Sequence, residues 1–414
     1  MIRTGYIFSV PDAILNMKTN VAVFFGGRSV EHEISVISAL QAINAFDKEK
    51  YNVIPVYISK QGRWFTGDNL LDTRNYKDLK ALQDNAEEVF MRPEYGDFNL
   101  YKAHMGRFSR RNPVVAELHV AIPVLHGTNC EDGTFEGLLE TIGIPFAGCN
   151  TLSSANGMDK ITMKMILREC GIPVVDYVWF TDKEWAASRE KVISRVEEKL
   201  SYPVIVKPAN LGSSVGIGKA ADREQLVKCI DEAEKFSTRI IVEHMVEQLK
   251  EINCSVLGDA DEHQSSVCEE PIKSGDFLSY EDKYMGGTKT NAGMQASAKR
   301  IPAELTPEMT ERIREIAGET FRVLSCHGVS RIDVMIDEKD DSVYVNEINT
   351  IPGSLSFYLW EASGISFTQL MDRLVALALK RKRESDRKVF TYDQNIFALG
   401  GGVKGAKGAK GSKF

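Results

Sequence analysis

No Cys-x-x-Cys pair occurs in this chain, and its seven cysteines are an odd number scattered from Cys130 to Cys326. That excludes a thiolate zinc site and a dithiol redox motif. It points to a reducing compartment in which most cysteines serve as small core hydrophobes. Long apolar runs are also missing. The longest late one, residues 374–379, falls far short of the ~20 residues that a membrane span needs. Residues 1–20 lack the basic start and apolar stretch of a leader. Nor is there a basic excess: 51 Lys and Arg stand against 58 Asp and Glu, a net charge of −7. The chain as a whole is therefore no polyanion binder, and nucleic acid is not an expected partner. The reading is a soluble cytoplasmic protein with no membrane insertion.

What is present is ordinary globular material, 43% hydrophobic and 26% charged, over 414 residues. That length exceeds one compact core and suits two or three domains. Residues 1–20 read as an N-terminal extension and 21–150 as a first domain. Within it, the buried strand 21–25 runs into Gly26-Gly27, a helix follows with Val36, Leu40 and Ile43 as its apolar stripe, and residues 53–58 form another strand. This alternation predicts a parallel sheet. Residues 151–250 form a β-rich module around the Gly-Ser loop 210–216. Residues 251–388 carry further strands, a helix opening at Thr306-Pro307, and two strands joined by the acidic turn 337–341. Residues 389–414 end in a Lys-Gly-Ala repeat with no acid, which reads as a flexible basic tail.

Two late strands carry chemistry-bearing residues. In Arg331-Ile-Asp333 and Glu347-Ile-Asn349 a spacing of two puts the polar side chains on one face. If the strands pair, Asp333, Glu347 and Asn349 supply the hard oxygens that Mg²⁺ accepts; for either strand alone, the wet face of a sheet is the better reading. Lys207-Pro208, ending an apolar strand before the loop to Gly216, suits phosphate, although the Walker pattern is absent. Glu243 follows a strand and can accept from an adenine amino group or a ribose hydroxyl. Gly26-Gly27-Arg28-Ser29-Val30-Glu31 opens a helix, but the full dinucleotide turn is missing, and an acid inside it favours an ammonium over pyrophosphate. His126 at a strand end is as readily structural as functional.

Taken in order, these segments resemble the D-alanine:D-alanine ligase family of ATP-grasp enzymes. The resemblance rests on Gly26-Gly-Arg-Ser-Val-Glu-His-Glu-Ile-Ser35, His126-Gly127 with Glu131-Asp-Gly-Thr134, Met158-Asp-Lys160, Lys207-Pro208 with Gly212-Ser-Ser-Val-Gly216, Lys283-Tyr284, Arg331-Ile-Asp333 and Asn346-Glu-Ile-Asn-Thr-Ile-Pro-Gly353. It covers roughly residues 21–387. It implies a fold of mixed class, α/β and α+β: a doubly wound N-terminal domain followed by a two-part ATP-grasp domain, with small subdomain 151–250 and large subdomain 251–388. The implied reaction joins two D-alanines through a D-alanyl phosphate at the expense of ATP, supplying a peptidoglycan precursor.

The resemblance also implies roles. Lys160, Lys207 and Ser214 belong to the phosphate site, and Glu243, His244 and Glu251 to the adenosine. Asp333, Glu347 and Asn349 hold two Mg²⁺ ions, for which Mn²⁺ can substitute. Glu31 receives the ammonium of the first D-alanine, linked to Ser213 and Tyr284. His126 and Lys283 line the substrate site, the loop 274–291 closes over it, and Arg331 with the Gly353 N–H stabilises the oxyanion. A homodimer is left open. Two departures stand out: His244 occupies a position where the family usually has lysine, and Tyr358 one where it commonly has the serine that grips the second substrate's carboxylate. Ser354, Ser356 or the Tyr358 hydroxyl is the expected replacement, with D-alanine as acceptor at a raised KM. The alternatives are a ligase with D-serine, D-lactate or another amino acid as acceptor, and a non-catalytic nucleotide-binding protein.

Overall fold

The computed structural model describes residues 18–104, 113–212, 215–272 and 299–392. Ser213, Ser214, Lys283, Tyr284, the loop 274–291 and the Lys-Gly-Ala repeat lie outside the described residues.

Three sheets organise the chain. The first contains β1 (Thr19–Gly26), β2 (Tyr51–Ile58), β3 (Trp64–Thr66), β4 (Glu87–Met91), β5 (Asn99–Lys102), β6 (Val114–Glu117) and β7 (Val120–Val124), in the order β6-β5-β4-β3-β2-β1-β7. β1 lies between β2 and β7 and runs parallel to both. Its residues Val21 to Phe25 are wholly buried, as expected of a strand covered on both faces. Beyond β2 the expected parallel alternation stops, because β3 to β6 pair antiparallel. Only residues 59–63 separate β2 from β3, too few for the dozen or more that a parallel crossover requires. At the other end of β1, Gly26 has φ +92°, and a Cβ there would collide with the Ile58 carbonyl.

The second sheet, ordered β10-β9-β11-β8, comprises β8 (Tyr177–Thr181), β9 (Val204–Pro208), β10 (Gly218–Ala220) and β11 (Arg239–His244), and it is antiparallel. The third is also antiparallel and runs β14-β13-β12-β15-β16, from β12 (Leu249–Gly258), β13 (His263–Pro271), β14 (Lys299–Arg300), β15 (Gly328–Asp337) and β16 (Ser342–Asn349). The helix Pro307–Val323 covers one of its faces. Thr306 caps that helix by accepting the Met309 N–H, and Pro307 occupies a first-turn position whose N–H would be orphaned anyway.

Apolar packing divides differently from the sheets. The second sheet keeps a core of its own around Phe180, Trp185, Val206, Ile230 and Val242. By contrast, the core beneath β1 and the helix His32–Ala45 is completed from distant sequence by Leu257, Val329, Ile351, Leu355, Trp360 and the helix Phe367–Ser385 through Leu370, Met371, Leu374 and Val375. The first and third sheets are thus joined by a common interior. Five cysteines are buried, Cys229 is half-buried and Cys170 is exposed; all seven are free.

Candidate functional site

The third sheet gathers its polar residues into rows. Asp333 lies opposite Glu347 on β16 and opposite Asn253 on β12, and Asn253 lies opposite Glu269 on β13. Directly opposed residues share a face, so Glu269, Asn253, Asp333 and Glu347 form one line across four strands. The neighbouring row sets Ser255, Arg331 and Asn349 side by side. Arg331 grips Asp333 through both carboxylate oxygens, at 2.6 and 2.7 Å, and Asn349 Nδ2 donates to Asp333 Oδ2 at 3.1 Å. Asp333, Glu347 and Asn349 therefore occupy neighbouring positions on one sheet face, with the Asn349 amide nitrogen turned to Asp333.

Lysines approach this row from the second sheet and its flanking helix. Lys160 opens the helix Lys160–Glu169, whose N-terminus Asp159 caps by accepting the Thr162 N–H. Its buried ammonium lies 3.0 Å from Glu347 Oε2 and donates to the Leu211 carbonyl at 2.9 Å. Lys207 on β9 donates to Glu243 Oε2 at 2.7 Å and to Asn346 Oδ1 at 3.1 Å. Four residues after Lys160, on the same helix face, the wholly buried Lys164 reaches within 3.3 Å of Glu243 Oε1. The Glu243 carboxylate is thus turned inward between two ammonium groups. Burial alone would raise its pKa, but Lys164 and Lys207 hold it down to about 2. His244 is exposed at the end of the same strand, while Glu251 is half-buried on β12.

The first sheet contributes two acids and a histidine. Glu31 precedes the helix His32–Ala45, and the Gly26-Gly27 turn before it is fixed by Ser35 Oγ, which accepts the Gly26 N–H, and by a His32 Nδ1 contact of 2.7 Å to the Gly27 carbonyl. Glu31 Oε2 lies so close to Gly127 (φ +77°) and to Gly212 that Cβ atoms built on them would stand 2.8 and 3.4 Å from it. The Gly127 position leaves no room for a side chain. The Glu31 carboxylate therefore sits between the His126-Gly127 turn and the entrance of the Gly-Ser loop.

Glu131 accepts from the Gly127 N–H at 2.8 Å and from the Ile351 N–H at 3.2 Å. Its pKa is pushed up to about 8 by burial and by the Glu31 charge, against those two donors. His126 contacts the Ile351 carbonyl through Nδ1 at 2.8 Å and Ser38 Oγ through Nε2 at 2.9 Å, while the Ser354 N–H donates to the same Ser38 oxygen. A carbonyl can only accept, so Nδ1 carries the proton and Ser38 donates to Nε2. Burial lowers the His126 pKa to about 4, which keeps this arrangement neutral. His126 thus supports the turn after β16, with both ring nitrogens engaged.

That turn is unusual. Ser354, Leu355 and Ser356 follow Gly353 with φ of 52°, 52° and 50°, three successive non-glycine residues in the left-handed region. Ser356 is fully buried, and its hydroxyl has no hydrogen-bond partner among the described residues. Tyr358 points elsewhere: its hydroxyl donates to Glu269 Oε2 at 2.9 Å, and Lys299 Nζ stands 4.1 Å from its ring centre.

The sequence-derived residues Glu31, His126, Lys160, Lys207, Glu243, Arg331, Asp333, Glu347, Asn349 and Gly353 therefore meet around the junction of the three sheets. Residues given no individual role from sequence also lie there: Ser38, Lys164, Asn253, Glu269, Lys299 and Asn346. Lys164 had a signal, a lysine at i+4 from Lys160 on the apolar stripe of a helix. Asn253, Glu269 and Lys299 reveal themselves only once the strands are paired, and Ser38 and Asn346 only through their contacts with His126, Ser354 and Lys207.

Comparison with known proteins gives a consistent picture. Residues 20–149 match the D-ala D-ala ligase N-terminus family and residues 166–376 the D-ala D-ala ligase C-terminus family. The chain is 40% identical over 380 residues to a D-alanine–D-alanine ligase of Thermosipho melanesiensis, covering 92% of this chain and 98% of that one. To the enzyme of the same name from Caldicellulosiruptor bescii it is 43% identical over 372 residues, covering 89% and 97%. Among solved structures, the D-alanine-D-alanine ligase of Coxiella burnetii superposes with a TM-score of 0.74 at 29% identity, covering 89% of this chain and 96% of that one. The VanG D-Ala:D-Ser ligase of Enterococcus faecalis superposes with a TM-score of 0.73 at 30% identity, covering 87% and 100%.

Proposed function

The chain belongs to the D-alanine–D-alanine ligase family, and from that premise we propose how its own residues carry out the ATP-dependent joining of two D-alanines. A carboxylate is a poor acylating agent because oxide is a bad leaving group, so ATP first converts the donor carboxylate to an acyl phosphate. The observation that carries the assignment is the convergence of Lys160, Lys207, Arg331, Asp333, Glu347 and Asn349 at one junction, a set larger than nucleotide binding alone needs.

In this reading Lys160 and Lys207 hold the ATP phosphates, together with Ser214, and the Glu243 carboxylate fixes Lys207 in place. Glu243, His244 and Glu251 form the adenosine side. Glu31 takes the ammonium of the first D-alanine, supported by its position between Gly127 and Gly212, and the family resemblance assigns Ser213, Tyr284 and Lys283 to the substrate as well. Arg331 and the Gly353 N–H face the oxygen that becomes negative when the second amine attacks, each such donor being worth ~3 kcal/mol of barrier. His126 aligns the turn that carries Gly353.

Asp333, Glu347 and Asn349 fit Mg²⁺, since two carboxylates and an amide oxygen on one sheet face are the hard donors it prefers alongside water and phosphate. Two ions are proposed, with Mn²⁺ as a substitute. Bound there, they would spread the charge on the transferring phosphoryl group. The cations Lys160 and Arg331, which pair with these acids in the structure, keep the cluster neutralised before ATP arrives.

The test is phosphate release in the presence of ATP and Mg²⁺, with and without a D- and L-amino acid panel, followed by product mass. D-alanine should be required and D-alanyl-D-alanine formed. Equal release without any amino acid would sink the reading, and exclusive mixed products with D-serine or D-lactate would move it to another acceptor.

A further inference from the structure

The polar row of the third sheet does not stop at the metal-facing end. It continues through Asn253 to Glu269, whose carboxylate is only 1% exposed. That buried anion is matched by the Lys299 ammonium at 2.9 Å, the Tyr358 hydroxyl at 2.9 Å and Asn253 Nδ2 at 3.3 Å. Lys299 lies across the Tyr358 ring, and its side chain remains 34% exposed. An ammonium has three donors, so the carboxylate holds Lys299 in place while other N–H groups can still meet a ligand. The cluster is contiguous with the proposed oxyanion site, because Arg331 lies within the electrostatic reach of both Tyr358 and Glu269.

Resting on the ligase reading above, we infer that Lys299 recognises the carboxylate of the second, attacking D-alanine, and that Glu269 and Tyr358 position it. The donor D-alanine presents its carboxylate to the Glu347 end of the row and its ammonium to Glu31. The acceptor needs its amine near the acyl carbon, beside Arg331 and Gly353, and its own carboxylate farther along. Strands are ~4.8 Å apart, so Glu269 lies two steps, or about 10 Å, beyond Asp333, on the side away from Glu347. Two of the three hydroxyls expected to fill this role are otherwise disposed: Tyr358 donates to Glu269, and Ser356 is fully buried. Burial pulls the Lys299 pKa down, but Tyr358 and Glu269 more than reverse it, so the side chain stays cationic at neutral pH.

The experiment measures separate KM values for the two D-alanines in Lys299→Met, and compares D-alanine with D-alaninamide, which lacks the carboxylate, as acceptor. The second KM should rise about 10- to 100-fold, the scale of one lost charge-assisted hydrogen bond, with the first little changed. Preference for D-alanine over D-alaninamide should collapse in parallel, and Lys299→Arg should retain most of it. Because Lys299→Met strands a buried carboxylate, the double variant Lys299→Met/Glu269→Gln keeps the cluster neutral, and it should fold yet show the same loss. An unchanged second KM, an equal rise in both, or full recovery in the double variant would overturn the inference. Failure of the unaltered protein to make any D-alanyl-D-alanine would instead overturn the reading on which it rests.

Discussion

In the proposed reading, Glu131 would couple substrate charge to a proton. Its pKa, raised to about 8 by burial and by Glu31, leaves it largely protonated at pH 7. An ammonium placed on Glu31 offsets the second cause, so the pKa falls and a proton leaves. Binding that releases a proton strengthens as pH rises and levels off above the free-state pKa. D-alanine affinity should therefore increase from pH 7 toward 8 and then flatten. Calorimetry in two buffers of different ionisation enthalpy should give different apparent heats; identical heats would count against the coupling. Glu347→Gln preserves volume and removes one negative charge from the proposed metal row. Its turnover should fall by about 100-fold or more with the fold intact, and near-normal turnover at saturating Mg²⁺ would reject the ligand role. Lys164→Met leaves half of the Glu243 carboxylate uncompensated in the interior, so it should cost about 3 kcal/mol in urea unfolding. Glu269 was among the hardest residues to read from sequence, because its partners Lys299, Tyr358 and Asn253 lie on other elements and a single glutamate looks like surface.

Among the elements, the left-handed turn 354–356 stores conformational energy, about 1–2 kcal/mol for each non-glycine residue. Three things hold it: the Leu355 side chain buried in the shared core, the Leu355 N–H on the Pro352 carbonyl at 2.8 Å, and Ser38 beneath the Ser354 N–H. Ser38→Ala removes the last and frees His126 Nε2. It should lose about 1–3 kcal/mol of stability and lower kcat about 10- to 100-fold through a displaced Gly353 N–H, with the KM for ATP little affected. A stability loss with unchanged kcat would separate the turn from the chemistry. The resemblance pointed to the Gly353 N–H, yet the positive φ values fall on the next three residues, whose identities give no hint of them. The strands were more legible. Apolar runs marked β1 and β9, and period-two polarity marked the β15–β16 face, because those patterns are local. The antiparallel run from β3 to β6 was misjudged, since hydrophobic alternation does not encode strand direction and only the short β2–β3 connection does.

For the whole molecule, the decisive fact is where the apolar interiors merge. No helix among the described residues is long and apolar enough to cross a membrane. The first sheet borrows Leu370, Leu374 and Val375 from the final helix to complete its core, whereas the second sheet closes its own. A fragment spanning residues 18–149 should accordingly lack a cooperative urea transition and bind a hydrophobic dye, while the intact chain does neither in buffer. A sharp transition in the fragment would refute the shared core. The same division bears on descent. One residue, Ile351, gives its N–H to Glu131 and its carbonyl to His126, so the proposed pocket for the first amino acid and the strand bearing the proposed metal row are written in two halves of the gene that must agree. Recombination between relatives that exchanged the second sheet alone would leave that agreement untouched. A crossover anywhere between residues 131 and 351 that was not reversed would pair an acid and a histidine from one lineage with a turn from another, so these two segments are expected to be inherited together.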